Sequence, residues 1–182
     1  KAVCREMIKR DWNVPWTCYA NPIGFDRELA QLMAQAGCAG IEVGTDSGSE
    51  RVLREQKKGF STSDVVELHQ LCVEAGLKDC HTMVLGLDGE TEDTIRESLD
   101  FLHRLDPFAA ILMVYMDEQE GLDPTRAARR AVLREQAGDL IREACAHHPR
   151  WTAPQLGIRF GERLFRLLRK MGKRGPLWQQ LG

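Results

Sequence analysis

Three short stretches of this 182-residue chain carry residue types that can hold a small polar ligand. Each lies where an apolar run gives way to glycine and polar residues. The first is Gly44-Thr45-Asp46-Ser47-Gly48-Ser49. Asp46 offers two acceptor oxygens, suited to a ribose diol or an ammonium group. Ser47 and Ser49 offer hydroxyls and nearby amides for a carboxylate, and the glycines let the backbone turn tightly against a ligand. The same residues also read as a loop ending in a helix N-cap at Ser47 or Ser49, and composition does not separate the two readings. The second stretch, Gly86-Leu87-Asp88-Gly89-Glu90-Thr91, feeds a helix with Glu92 and Asp93 in its first turn. Those acids complement the helix dipole and repel phosphate, so the stretch reads as a turn with an acidic cap, not a phosphate cradle. The third, Asn21-Pro22, places an amide that can both donate and accept at a strand end. A simple turn is the better reading of it.

Other chemistry finds little support. The six cysteines at 4, 18, 38, 72, 80 and 145 are never closer than eight residues, so no CxxC or CxxxCxxC spacing occurs. They read as reduced core thiols, and no metal ligands are assigned in this chain. There is no GxSxG elbow. His69 falls in a helix, His147-His148 at a helix end, and His81 in a strand, where a satisfied core histidine is the expected role. Asp117, Glu118 and Glu120 form a polar loop expected to face solvent. The formal net charge of −2 gives no reason to expect nucleic acid. Seven basic residues (Arg159, Arg163, Arg166, Arg169, Lys170, Lys173, Arg174) lie near one acid, Glu162. They read as a solvated helix face, with a dock for a partner or a polyanion as the sharper alternative. The longest apolar stretch, Phe108 to Met116, has the length of a strand, not of a membrane span. With no secretory pattern, a cytoplasmic location is expected.

The elements that must position these groups follow from periodicity. Val3 to Lys9 is helical and Pro15 to Ala20 extended. Asp26 opens a helix with Leu29, Leu32, Met33 and Ala36 on one stripe, and Gly37 ends it. Gly40 to Gly44 is a short strand. An insertion runs from Ser47 to Thr62. Ser61 with Asp64 is a capping-box variant before a helix stopped by Gly76. Lys78 to Gly86 is a strand, Thr91 starts a helix, and Ala109 to Met116 is a strand covered on both faces. This alternation predicts parallel strands with helical crossovers. Asp123 to His147 and Leu156 to Met171 read as helices, with a short tail from Leu177 to Leu181. Four strands do not close a barrel, which leaves an open sheet or part of one. The expected division is a barrel portion over residues 1–120 and a helical C-terminal extension over 121–182.

Taken together, the stretches resemble a known family. Trp16-Thr-Cys-Tyr-Ala-Asn-Pro22, then DRELAQLMAQAGCAGIEVGTDSGSERVL, then KKG at 57–59 and GLDGET at 86–91 are similar to radical S-adenosylmethionine (SAM) enzymes. The likeness runs over residues 3 to 116, in the family's order. It is nearest to the branch often preceded by a cobalamin-binding domain, whose tail GPLW at 175–178 is also similar. The resemblance implies an α/β fold, a partial (β/α) TIM-like barrel to which this chain gives the later, parallel strands plus a helical extension. It implies SAM as cofactor, a [4Fe–4S] cluster in the intact protein whose ligands are not in this chain, and cobalamin through a further domain. It also implies a small-molecule substrate, the N-terminal half of the same protein as partner, and dimerisation through exposed strand edges.

Residue by residue, the resemblance places Asp46 where relatives usually carry Glu against the SAM ribose or amino group. Ser47 and Ser49 fall near its carboxylate, and Lys58 pairs with that carboxylate. Val84 and Leu85 lie beside the adenine, and Asn21 faces the pocket. Two departures stand out. Asp88 replaces the proline of G-x-P-G-E-T, and Glu120-Gly-Leu-Asp-Pro-Thr125 stands where many relatives have Pro-Gly-Thr. The expected function is a piece of an enzyme that cleaves SAM reductively or transfers its methyl group, inactive by itself for want of CxxxCxxC. The alternative is a diverged binding module without chemistry.

Overall fold

The computed structural model describes residues 1–116, 123–159, 162–173 and 175–180. The polar loop with Asp117, Glu118 and Glu120 lies outside them, as do Gly121, Arg174 and Leu181. Five parallel strands form one sheet in the order β1 to β5: Trp16–Ala20, Cys38–Asp46, Lys78–Leu85, Ala109–Val114 and Trp151–Thr152. The helices are α1 (Ala2–Lys9), α2 (Arg27–Gln35), α3 (Glu50–Glu55), α4 (Thr62–Ala75), α5 (Glu92–Leu105), α6 (Pro124–His147) and α7 (Glu162–Lys170). β1 forms one edge, so the sheet is open.

Local chemistry sets the boundaries. The Asp26 side chain caps α2 through the Leu29 amide at 2.8 Å. Ser61 and Asp64 make the reciprocal capping box of α4, and Gly76 closes it at φ +70°. Thr91 caps α5 in the same way with Thr94. Three expectations change. The insertion after Ser47 contains α3, with Ser49 at its N-cap position. A fifth strand is present, only two residues long and so without a periodic signal. The helix expected from Leu156 to Met171 is instead a 3₁₀ turn at Pro154–Leu156 and a shorter α7, with Gly157 at φ +69° between them.

Side chains alternate across the strands and divide the molecule in two. One face packs under helices. Ile41 and Val43 join Met33, Leu68 and Cys72 from α2 and α4. Met83, Leu85, Leu112 and Val114 join Ile95, Leu102, Leu140 and Ile141 from α5 and α6. Among the described residues, the other face is covered only toward the strand starts. There Trp178 packs with Cys80 and Ala109, and its indole N–H donates to Glu42 Oε1 at 2.8 Å. Toward the strand ends, Gly44 is exposed and Thr82, Val84 and Met113 are half-buried. All six cysteines are free thiols, five of them buried.

Two glycines on β2 and its loop have opposite roles. A methyl group at Gly48 would lie 2.5 Å from Phe101 Cβ, so only glycine lets α5 approach this loop. A methyl group at Gly44 would meet no protein atom within 4 Å. Gly48→Ala is therefore expected to cost about 1–3 kcal/mol of stability through overpacking. Gly44→Ala should leave stability unchanged or slightly raised. Urea denaturation of the two variants checks this contrast.

Candidate functional site

The loop after β2 begins with a register shift. Gly44 pairs with Thr82, but Asp46 pairs with Met83, so β2 carries one extra residue there. Thr45 turns to the helix side, where its hydroxyl lies 2.7 Å from His81 Nδ1. Asp46 takes φ +60°, a left-handed conformation that aspartate tolerates better than most residues. Its carboxylate meets Lys58 Nζ at 2.5 Å, with side-chain exposures of 21% and 35%. Lys58 sits just past α3, between Lys57 at φ +54° and Gly59 at φ +74°. Gly59 in turn lies against Ile23, which brings the turn after β1 to the same rim.

The residues singled out from sequence do not all share one surface. Asp46 and Lys58 are joined directly. Val84 is half-buried on the face where Gly44 is open. Asn21 is exposed at the end of β1, and its Oδ1 accepts from the Ile23 amide at 2.9 Å, closing a turn. Leu85 differs: as the neighbour of Val84 on a strand it points the opposite way, and it is fully buried in the helix-side core. Its side chain has no surface for a ligand. Ser47 and Ser49 are each only 1% exposed. The Ser47 hydroxyl lies 2.9 Å from Ser98 Oγ and accepts from the Ser49 amide at 3.1 Å. Ser98 Oγ also accepts from the Gly48 amide at 3.0 Å. These serines shape the loop from beneath, and Ser98 of α5 is a positioning residue that local sequence reading does not reach.

The Gly86–Thr91 turn is held from within and from α6. Gly86 and Gly89 take φ +84° and +87°. Glu90 Oε2 accepts from the Gly86 and Leu87 amides at 2.7 and 2.8 Å. Asp88 binds Arg130 Nη1 at 2.5 Å and also Arg126, while Arg130 Nη2 donates to the Gly86 carbonyl at 2.9 Å. Asp88, which stands where the family resemblance led one to expect proline, thus anchors α6 to the turn. Arg51 of α3 donates to the Gly89 carbonyl at 3.1 Å, tying the two loops together. A second polar group lies under the sheet. Burial alone would raise the Asp79 carboxyl, but donors from His69 at 2.6 Å and His81 at 3.0 Å outweigh it and hold it well below the carboxylate range. His81 is wholly buried and hydrogen-bonded at both nitrogens, a satisfied core histidine.

Comparison with known proteins gives this arrangement a context. The model of the Radical SAM superfamily matches residues 2–102. A tryptophan 2-C-methyltransferase of Streptomyces laurentii is 36% identical over 121 residues, 58% of this chain and 20% of that protein. The radical S-adenosylmethionine methyltransferase TsrM of Kitasatospora setae, solved with cobalamin and a [4Fe-4S] cluster, is 29% identical. It superposes with TM-score 0.57 over 62% of this chain and 24% of that one. Coproporphyrinogen III oxidase of Escherichia coli, 16% identical, shares the fold with TM-score 0.61 over 80% of this chain and 36% of that one. The chain spans about a fifth of the length of the curated relatives it matches. Among the described residues no helix is long and apolar enough to cross a membrane.

The matched stretch includes the turn at Glu90 but not its anchor on α6. Glu90 is 7% exposed and its Oε1 is buried without a hydrogen-bond partner. Burial raises its pKa above the ordinary 4.5 despite the two amides. A carboxyl that is harder to ionise when folded binds more protons in the folded state, so stability falls as pH rises from about 4.5 through the raised value. Glu90→Gln should abolish that decline while keeping an acceptor for both amides. Thermal melts of the two proteins between pH 4 and 7 check it: their difference should change with pH, and a constant offset would contradict the assignment.

Proposed function

The chain belongs to the radical SAM superfamily, and we propose that it forms the SAM-binding, C-terminal side of a methyltransferase-type barrel. The observation that carries this reading is the Asp46–Lys58 pair beside the open notch at Gly44. A carboxylate and an ammonium at one rim match the two ends of a zwitterionic amino acid, and an exposed glycine leaves room for a bulky neighbour. Asp46 accepts from the ribose hydroxyls or the α-ammonium of SAM. Lys58 pairs with the α-carboxylate, and Val84 packs against the adenine. Ser47, Ser49 and Ser98 hold the loop from below, and Asn21 shapes the facing rim. The Asp46–Lys58 contact is no obstacle, because a partly exposed ion pair is worth only about 0–1 kcal/mol.

SAM supplies a methyl group or, when reduced, a carbon-centred radical, and this chain's part is to bind and orient it. The residues described here do not suit an iron–sulfur cluster. Among them, the one grouping of three histidine, cysteine or acidic donor atoms within 4.8 Å contains no thiol. The cluster and cobalamin therefore belong, in this reading, to other parts of the same protein. The free edge of β1, where Tyr19 is 82% exposed, is where further strands would continue the barrel. The substrate would be a small molecule reached through the open face. Methyl transfer is favoured over other outcomes by two similar proteins, both named as methyltransferases.

Isothermal titration of this chain with SAM tests the reading. Asp46→Asn and Lys58→Ala should each weaken binding about tenfold or more, the value of a charged hydrogen bond. Gly44→Val should block binding while leaving the melting temperature unchanged. Binding as strong as that of the unaltered chain in both Gly44→Val and Asp46→Asn would reject the pocket, as would no binding by the unaltered chain.

A further inference from the structure

Away from that rim, on the helix side of the sheet, His69, Asp79 and His81 bring three ligand-type atoms within 4.8 Å of one another. Asp79 and His81 stand two residues apart on β3 and share its helix-side face; His69 reaches them from α4. Asp79 Oδ2 is the common point, 2.6 Å from His69 Nδ1 and 3.0 Å from His81 Nε2. The remaining atoms of two of these groups are held from behind. Asp79 Oδ1 accepts from the Phe108 amide at 3.0 Å, and His81 Nδ1 contacts the Thr45 hydroxyl at 2.7 Å. This is the pattern of metal sites, where outer hydrogen bonds orient each ligand and fix the histidine tautomer.

We propose that His69, Asp79 and His81 form a binding site for a divalent ion of the zinc class. Two imidazoles and one carboxylate suit Zn²⁺, Co²⁺ or Ni²⁺ better than Mg²⁺ or Ca²⁺. In a tetrahedral zinc site with bonds of about 2.0–2.1 Å, ligand atoms stand roughly 3.3 Å apart. Asp79 Oδ2 reaches that spacing from each nitrogen once the ion replaces the two N–H protons and each pair parts by less than an ångström, while the two nitrogens, within 4.8 Å of each other, adjust to the same spacing. The protons balance. His81 shifts its proton from Nε2 to Nδ1 and donates to Thr45 Oγ1, and neutral His69 carries its proton on Nε2. An already protonated His69 would release one proton to solvent.

Charge and access favour the ion. Asp79 is buried, and its hydrogen-bond partners are the two histidines and one amide, so a divalent cation offsets a charge that imidazole N–H groups only solvate. His69 lines a groove between α4 and α5 with Val66, Gln70, Val73, Phe101 and Arg104, which gives a route for entry from its side. The bound ion would pin α4 to β3. This inference does not depend on SAM binding.

The test is titration of the chelator-stripped chain with Zn²⁺, and with Co²⁺ for its absorption. One equivalent should bind, with the visible bands of a four-coordinate Co²⁺ site and a raised melting temperature. His69→Gln keeps a donor for Asp79 but loses the imidazole, and should weaken Zn²⁺ at least about 100-fold while the protein stays folded. Asp79→Asn should do the same. Cys18→Ser must leave binding intact, since that thiol is the more exposed competitor. No binding by the unaltered chain overturns the proposal. So does binding that survives His69→Gln or is lost in Cys18→Ser.

Discussion

Side chains alternate along a strand, and β2 and β3 must fill a helix-packed core with only half of theirs. Ile41, Val43, Met83 and Leu85 take that role and are fully buried. The other half is then committed to the opposite face, which the described helices do not cover. The site follows from this division. Gly44 and Val84 are available because their neighbours are occupied. The extra residue at Thr45 matters for the same reason. It keeps a hydroxyl on the helix side for His81 and carries Asp46 past the sheet to Lys58.

Helix α5 acts on the site without touching its rim. Ser98 holds Ser47 and Gly48, and Phe101 packs where a side chain at 48 would be. The loop after β2 is thus moulded by a helix about fifty residues later. The turn before α5 is moulded from still further away, by Arg126 and Arg130 of α6. The proline that the family resemblance led one to expect there would restrict the turn through its own ring. Here Asp88 serves through two guanidinium contacts, one of them to a side chain only 3% exposed. This adds a tertiary restraint from α6 to the local one that Glu90 supplies through the Gly86 and Leu87 amides. Residues of α6 share the core of β3, β4 and α5, and that packing keeps it there.

The strand–helix alternation was legible because capping residues mark it: Asp26, Ser61 and Thr91 each cap the helix that periodicity assigned. The glycine-rich loop at Gly44 and Asp46 was legible from its residue types, whereas Lys58, which the structure joins to Asp46, entered only through the family resemblance. What was not legible depends on separation in sequence. β5 has two residues, too few for any period, and is recruited by pairing with Ala110 and Ile111. Leu85 could not be told from Val84 without knowing which face of β3 is covered. Ser47 and Ser49 have the right chemistry for a ligand, but their burial is imposed by α5. The histidine–aspartate group escaped notice because His69 stands ten residues before Asp79, across a helix end and a turn.

The tail tryptophan closes one end of the open face. Trp178 is 2% exposed and stands over Gly40, where a methyl group would lie 2.6 Å from its ring. It also packs edge-on to Phe108, at 6.1 Å between ring centroids. A buried indole of this size contributes on the order of 2–3 kcal/mol, and its N–H is satisfied by Glu42. The strand starts are therefore closed by the chain itself. The strand ends are lined by Gly44, Thr82, Val84 and Met113, with Asp46 and Lys58 at the rim. In parallel α/β folds ligands sit at the carboxyl ends of strands because loops there carry the variable chemistry. In this chain the same end is the one the core leaves unfilled, so packing and chemistry select it independently.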